Sequence, residues 1–174
     1  MASEVALALV LLVGAGLMIR TFAAVRSVDP GFAPRHVLTA VLSLTGSRAD
    51  EPGRRLPFYR DVLDRVRGLP GVASASAINH LPLAGDIWGF PFHVEGRPRE
   101  APGESPSAAY RVVLPGYFKT MGLPLVRGRD FTDADDTGAP GAIIVDQYLA
   151  EKYWPGDEPI GKRVTLDDPD KDPV

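Results

Sequence analysis

The chain has 174 residues, a formal net charge of −3, 45% hydrophobic residues and no cysteine. That is enough for one domain of ordinary size or two small lobes, and it excludes a disulfide scaffold and any site built on thiolates. A mildly acidic balance gives no overall electrostatic attraction to nucleic acid, which is not expected as a partner.

The most informative stretch comes first. Val5 to Ile19 reads VALALVLLVGAGLMI, Arg20 interrupts it, and Thr21 to Val25 carries it on to Arg26. As a helix, Val5 to Val25 measures about 31 Å at 1.5 Å per residue, close to the ~30 Å of bilayer hydrocarbon. Its apolar residues run all round the helix, as lipid contact requires. Arg20 lies near one end, where its long stem reaches the headgroups. A cleavable signal peptide carries positive charge ahead of its apolar core, and Met1 to Glu4 supplies none. A buried helix of a soluble protein is seldom apolar on every side. Residues 1–28 are therefore read as a transmembrane helix. Arginines follow the span and none precedes it, so the positive-inside rule alone would put the C-terminal side in the cytoplasm.

Residues 29–174 read as an α+β domain with mixed sheets. Asp29 to Pro34 is a turn-rich link. His36 to Thr45 (HVLTAVLSLT) alternates and predicts a strand. Arg54 to Gly68 places Tyr59, Val62, Leu63 and Val66 on one helical face, with Gly68 and Pro70 ending it. Val72 to Asn79 predicts a second strand, so this region resembles a βαβ unit or a split version of one. Trp88 to Glu95 (WGFPFHVE) predicts a strand that Pro91 should confine to an edge or a bulge. Gly96 to Pro106 is a charged loop, Ala108 to Val113 a further strand and Pro115 to Met121 a short helix. Gly141 to Val145 (GAIIV) predicts an apolar strand in the middle of a sheet. Asp146 should cap a helix over Gln147 to Trp154, with Pro155 and Gly156 stopping it before a last strand at Ile160 to Leu166.

No segment assembles an enzyme site. Gly156 to Lys162 has the G-x-x-x-x-G-K spacing of a phosphate-binding loop, but Pro159 removes an N–H donor. Asp157 and Glu158 repel phosphate, and Arg163 stands where Ser or Thr would hold Mg²⁺, so it reads as a turn between helix and strand. Asp133, Asp135 and Gly138 match the start of a calcium loop, yet Ile144 occupies the position of its bidentate Glu; a solvated turn fits better. His36, His80 and His93 share no ligand spacing. Ser74 and Ser76 lack a nucleophile elbow. The carboxylate pairs Asp61/Asp64 and Asp157/Glu158 lie in no apolar cleft, and the arginines of 48–67 interleave with acids as a salt-bridged face. No catalytic, cofactor-binding or metal residue, and no cofactor, is expected. Trp88, Phe90 and Phe92 share one strand face, which predicts core packing first and an apolar ligand groove second.

In order along the chain, LVGAGLMIRTF, the V-D-P-G-F link at Val28–Phe32, the strand and helix that follow, G-V-A-S-A-S at Gly71–Ser76, V-L-P-G-Y-F-K-T-M-G-L-P-L at Val113–Leu125, R-G-R-D-F at Arg127–Phe131 and Y-W-P-G-D-E-P-I-G-K-R-V at Tyr153–Val164 resemble the MacB/FtsX-type ABC transporter permeases. The likeness covers nearly the whole chain and rests on consistent order more than on any single motif. It implies a MacB-like periplasmic core domain behind its transmembrane helix, in the cytoplasmic membrane of a bacterium. It implies that residues 29–174 lie in the periplasm, and this outweighs the arginines in setting orientation. Implied partners are an ABC ATPase, a second permease half or a homodimer partner, the lipid bilayer and a periplasmic adaptor. ATP hydrolysis would occur in a separate subunit or domain, and substrates of such families include macrolides, peptides, toxins and lipoproteins. Relative to the pattern, the chain is expected to be a C-terminally incomplete piece. The alternative is a membrane-anchored extracytoplasmic binding module using the Trp88/Phe90/Phe92 face.

Overall fold

The computed structural model describes residues 2–85, 88–98, 105–136 and 138–166. The chain divides into two units, Met1–His36 and Val37–Val174.

In the first unit, helix α1 spans Ala2–Arg26 and buries none of its residues. One further turn closes it: the Ser27 amide donates to the Ala23 and Ala24 carbonyls and the Val28 amide to Val25. Pro30 has no amide hydrogen to continue the ladder, and the Asp29 carboxylate instead accepts the Gly31 amide at 2.9 Å in a local turn. The continuous helix expected up to about Val28 is present.

The second unit is built from helices and a small antiparallel sheet, the expected α+β organisation. Helix α2 covers Arg55–Arg67, with Leu63 buried on its apolar face. Strand β1 (Gly89–Val94) lies between β2 (Ser107–Ala109) and β3 (Val164–Leu166). Helices α3 (Tyr117–Met121) and α4 (Gln147–Tyr153) complete the elements.

Pro91 was expected at an edge, and β1 is the middle strand; the stagger of its partners explains how. β2 pairs with Gly89–Pro91 and β3 with Phe92–Val94. The Phe92 amide donates to Pro106 and the Trp88 carbonyl accepts from Tyr110, so even-numbered residues turn their polar groups towards β2. Pro91 therefore points its missing donor to the other side, past Leu166 of β3. Gly89 lies close against β2. A Cβ there would stand 2.9 Å from the Ser107 hydroxyl of β2.

The core forms where this sheet meets α4. Phe92 (5% exposed), Val94 and Val164 are buried together, with Ala108, Leu149, Tyr153, Trp154 and Leu166 packed against them. The register makes this possible: Val94 faces Val164 and Phe92 faces Leu166, so residues two apart on each strand share the face towards α4. The Phe92 and Tyr153 rings meet edge to face at 5.2 Å. Asp146 caps α4 as its sequence position requires, its carboxylate accepting the Leu149 amide at 2.7 Å. At the other short helix, Gly122 closes α3 in the left-handed region (φ 67°), where a side chain would be strained.

Three expected strands differ. His36–Thr45 and Gly141–Val145 form no strand, and Val72–Asn79 contributes only the bridge of Ile78 to Val113. Among the described residues every strand pairing is antiparallel, so the parallel βαβ pairing around α2 is not formed. The physical reason is that β propensity expresses the fit of a side chain to a paired, half-buried surface. Without a neighbouring strand, Leu38 and Val41 remain 97% and 91% exposed. The strands expected at Ala108–Val113 and Ile160–Leu166 are present in shortened form as β2 and β3.

Phe92→Ala should lower the unfolding free energy of the second unit by about 3 kcal/mol or more, as for other buried aromatics. Asp146→Ala should cost about 1 kcal/mol through the lost cap. Denaturant unfolding of the full chain, followed by Trp fluorescence, measures both.

Candidate functional site

Three places hold the residues that the sequence singles out. Along β1, the aromatic face is progressively covered. Phe92 is inside the core, Phe90 is half-buried and meets Tyr110 edge to face at 5.2 Å, and Trp88 is 54% exposed. The His80 ring lies 4.9 Å from that of Trp88. Two of the three rings are thus occupied in packing, the first of the two roles expected for this face.

The second place is the loop of Arg127–Asp136. Arg129 grips Asp135 with both terminal nitrogens, at 2.7 and 2.6 Å, and the Thr132 amide donates to the same carboxylate at 2.7 Å. These bonds favour the ionised acid. Hydrogen bonding from Arg129, then from the Thr132 amide, holds the Asp135 carboxyl well below the usual carboxylate range, and the same pair raises Arg129. Asp133 pairs with Arg60 at 3.0 Å, and Asp136 accepts the Gly138 amide at 2.9 Å. The calcium-loop carboxylates are therefore engaged by cationic side chains and backbone. Among the described residues no group of three or more histidine or acidic side chains is placed to hold a metal ion. Sequence reasoning missed the Arg129–Asp135 clasp, whose only local signal was two opposite charges flanking a turn.

The third place is Gly156–Arg163, between α4 and β3. It is a turn, as its composition indicates. Lys162 pairs with Asp157 at 2.7 Å, Glu158 with Arg127 at 2.5 Å, and Arg163 with Glu95 at 3.7 Å. The lysine that a phosphate loop would offer to its ligand is turned onto Asp157, whose acidity its hydrogen bond increases. Arg97 reaches across to the Tyr153 carbonyl and lies over the Tyr153 ring at 5.4 Å. These ion pairs fix the entry to β3 against β1 and the end of α4.

The remaining candidates are dispersed. His36 is exposed with φ 61°, and His93 sits within β1. The Ser76 hydroxyl donates to the Leu114 carbonyl at 2.9 Å, beside the Ile78–Val113 bridge, which is a packing role. Tyr117 is buried, and burial raises its phenol, a shift that the charge of Arg111 opposes. In α2, Asp61 pairs with Arg65 at 2.9 Å and Asp64 with Arg67 at 3.0 Å, the salt-bridged face expected there.

What the geometry offers is a helix that can enter a membrane, and a sheet unit whose polar groups are engaged with one another. Comparison with known families decides the context: the family model of the MacB-like periplasmic core domain matches residues 5–173. The chain belongs to that family. It is accordingly part of an ABC transporter permease family, in which this domain is a component of the transporter. The comparisons with curated proteins and with solved structures each returned no match.

The clasp makes a pH prediction. A carboxyl whose folded pKa is depressed contributes stability above its unfolded pKa of about 3.9 and loses it as pH falls towards the folded value. The difference in urea midpoint between the chain and Asp135→Asn should be largest near neutral pH and shrink as the pH is lowered from about 5 to about 2.

Proposed function

We propose that this chain is the transmembrane helix and periplasmic core domain of an ABC exporter permease, and that its work is mechanical. Residues 29–174 stand on the periplasmic side of a bacterial cytoplasmic membrane, anchored by residues 1–28. A cytoplasmic ABC ATPase, in a separate subunit or domain, hydrolyses ATP; a second permease half or a second copy completes the pathway. The spans carry the resulting movement to the core domain, which acts on the exported substrate or on a periplasmic adaptor. The domain itself performs no chemistry in this scheme.

The observation that carries the reading is the combination in one chain of the family match over residues 5–173 with a 25-residue helix that buries none of its side chains. That helix is long and apolar enough to cross a membrane. Its hydrogen bonding runs on through Val28, so the helix moves as one piece up to the link that begins at Asp29.

Two outcomes are expected. Alkaline phosphatase joined after Val174 should be active in intact bacteria; a fusion produced in full but inactive would reverse the orientation. In the complete transporter, a flexible Gly/Ser insert after Val28 should abolish export and leave ATP binding intact. Export at the original rate would rule out coupling through this connection.

A further inference from the structure

The arginines in and just after the end of α1 are set apart from the others. From Arg54 onward each described arginine is engaged by a carboxylate, a backbone carbonyl or an aromatic ring. Between Arg20 and His36 there are three arginines and one acid, Asp29, whose carboxylate already accepts the Gly31 amide. Among the described residues, Arg20, Arg26 and Arg35 meet no carboxylate. Arg26 is nevertheless held in place. Its guanidinium lies over the Phe22 ring, one turn back along the helix, 5.8 Å from the centroid. Next to it, Leu17, Met18, Thr21, Phe22 and Val25 line an open groove along α1. Met18, Phe22 and Arg26 follow one another at intervals of four, so cation and groove share one side of the helix. Arg20 stands about 200° round the helix from Met18, on the other side.

We propose that this side of α1 binds a phospholipid of net negative headgroup, with its phosphate on Arg26 and an acyl chain along the groove. The site rests on α1 being a membrane anchor, as proposed above. Three features select this occupant. The groove is apolar apart from the Thr21 hydroxyl, which suits a hydrocarbon chain with polar ester groups near its head. Arginine offers a planar fork of N–H donors that matches two phosphate oxygens, and stacking on Phe22 engages its face while leaving those edges to a ligand. A zwitterionic lipid brings its own cationic group to its phosphate, whereas phosphatidylglycerol brings none and leaves the full charge to Arg26. The charge pattern also gains a reason. Arginines on the side proposed to be periplasmic run against the positive-inside rule, and a role in holding lipid accounts for a cation there.

The test uses the full chain in phosphatidylcholine vesicles that carry a small share of spin-labelled lipid, with EPR reading the fraction of label held at the protein. Spin-labelled phosphatidylglycerol should be held about fivefold more strongly than spin-labelled phosphatidylcholine, the effect of one arginine at a membrane surface. Arg26→Gln should bring that ratio close to one. Phe22→Leu should lower it although the charge remains, and Arg20→Gln should leave it nearly unchanged. Equal losses in Arg20→Gln and Arg26→Gln would mean diffuse surface charge and overturn the site, as would a ratio of one in the unaltered chain. Excess inorganic phosphate should not displace the label, because a free anion has no chain to fill the groove; displacement would overturn the lipid in favour of an anion. Loss of the held label as the protein-to-lipid ratio rises would assign the groove to a second copy instead. A chain that enters the vesicles without preference overturns this site alone, whereas one that stays outside them overturns the anchor and the site with it.

Discussion

The apolar side chains of α1 stand exposed on all sides of the helix, and within its own unit nothing buries them. The helix buries no residue of its own, while Leu, Val, Ile, Met and Phe side chains stand exposed on all its sides. At roughly 25 cal/mol per Å² of apolar surface, no arrangement of polar groups elsewhere compensates for leaving such a cylinder hydrated. Lipid is an environment that would resolve this, because the backbone of a helix is satisfied internally and asks nothing of the hydrocarbon. The biological reading of the second unit, as a domain carried at a membrane, follows from that constraint together with the family to which the chain belongs.

The second unit is held by a different balance. Its core is small and local: one face of β1 and β3 against α4, with Phe92 at the centre. Around it, basic side chains pair with carboxylates on loops: Arg127 with Glu158, Arg129 with Asp135, Lys162 with Asp157 and Arg60 with Asp133. Exposed pairs of this kind contribute little stability each. Their effect is geometric, since each clasp selects one loop conformation among many. The same engagement extends to motifs that look chemical in one dimension. The acidic run of 133–136 and the glycine–lysine turn of 156–162 have their charged groups directed at each other.

Helices were legible in the sequence because their signals are local. The heptad-like spacing of Tyr59, Val62, Leu63 and Val66, the cap at Asp146 and the Pro/Gly stops each act within a few residues, and α2 and α4 lie where those signals put them. The long apolar helix was legible by its length and uniformity. Strands were less so, because pairing is a property of two segments. Among the described residues, His36–Thr45 and Gly141–Val145 have the composition of strands and no strand beside them, whereas Trp88–Glu95 has a proline in its middle and a strand on either side. The aromatic face was read correctly as packing at Phe92, and the Arg129–Asp135 clasp was invisible because its partners meet only once the loop has turned.

The stagger of β2 and β3 on the central strand has a mechanical consequence. β2 pairs with the first half of β1 and β3 with the second, and the two halves meet at Phe92, whose amide donates to the Pro106 carbonyl and which lies opposite Leu166. The same residue lies in the core cluster, with Val164 of β3 buried in it and Ala108 of β2 packed against it. One side chain thus joins what the two backbone ladders leave separate, so a change at Phe92 acts on both outer strands at once.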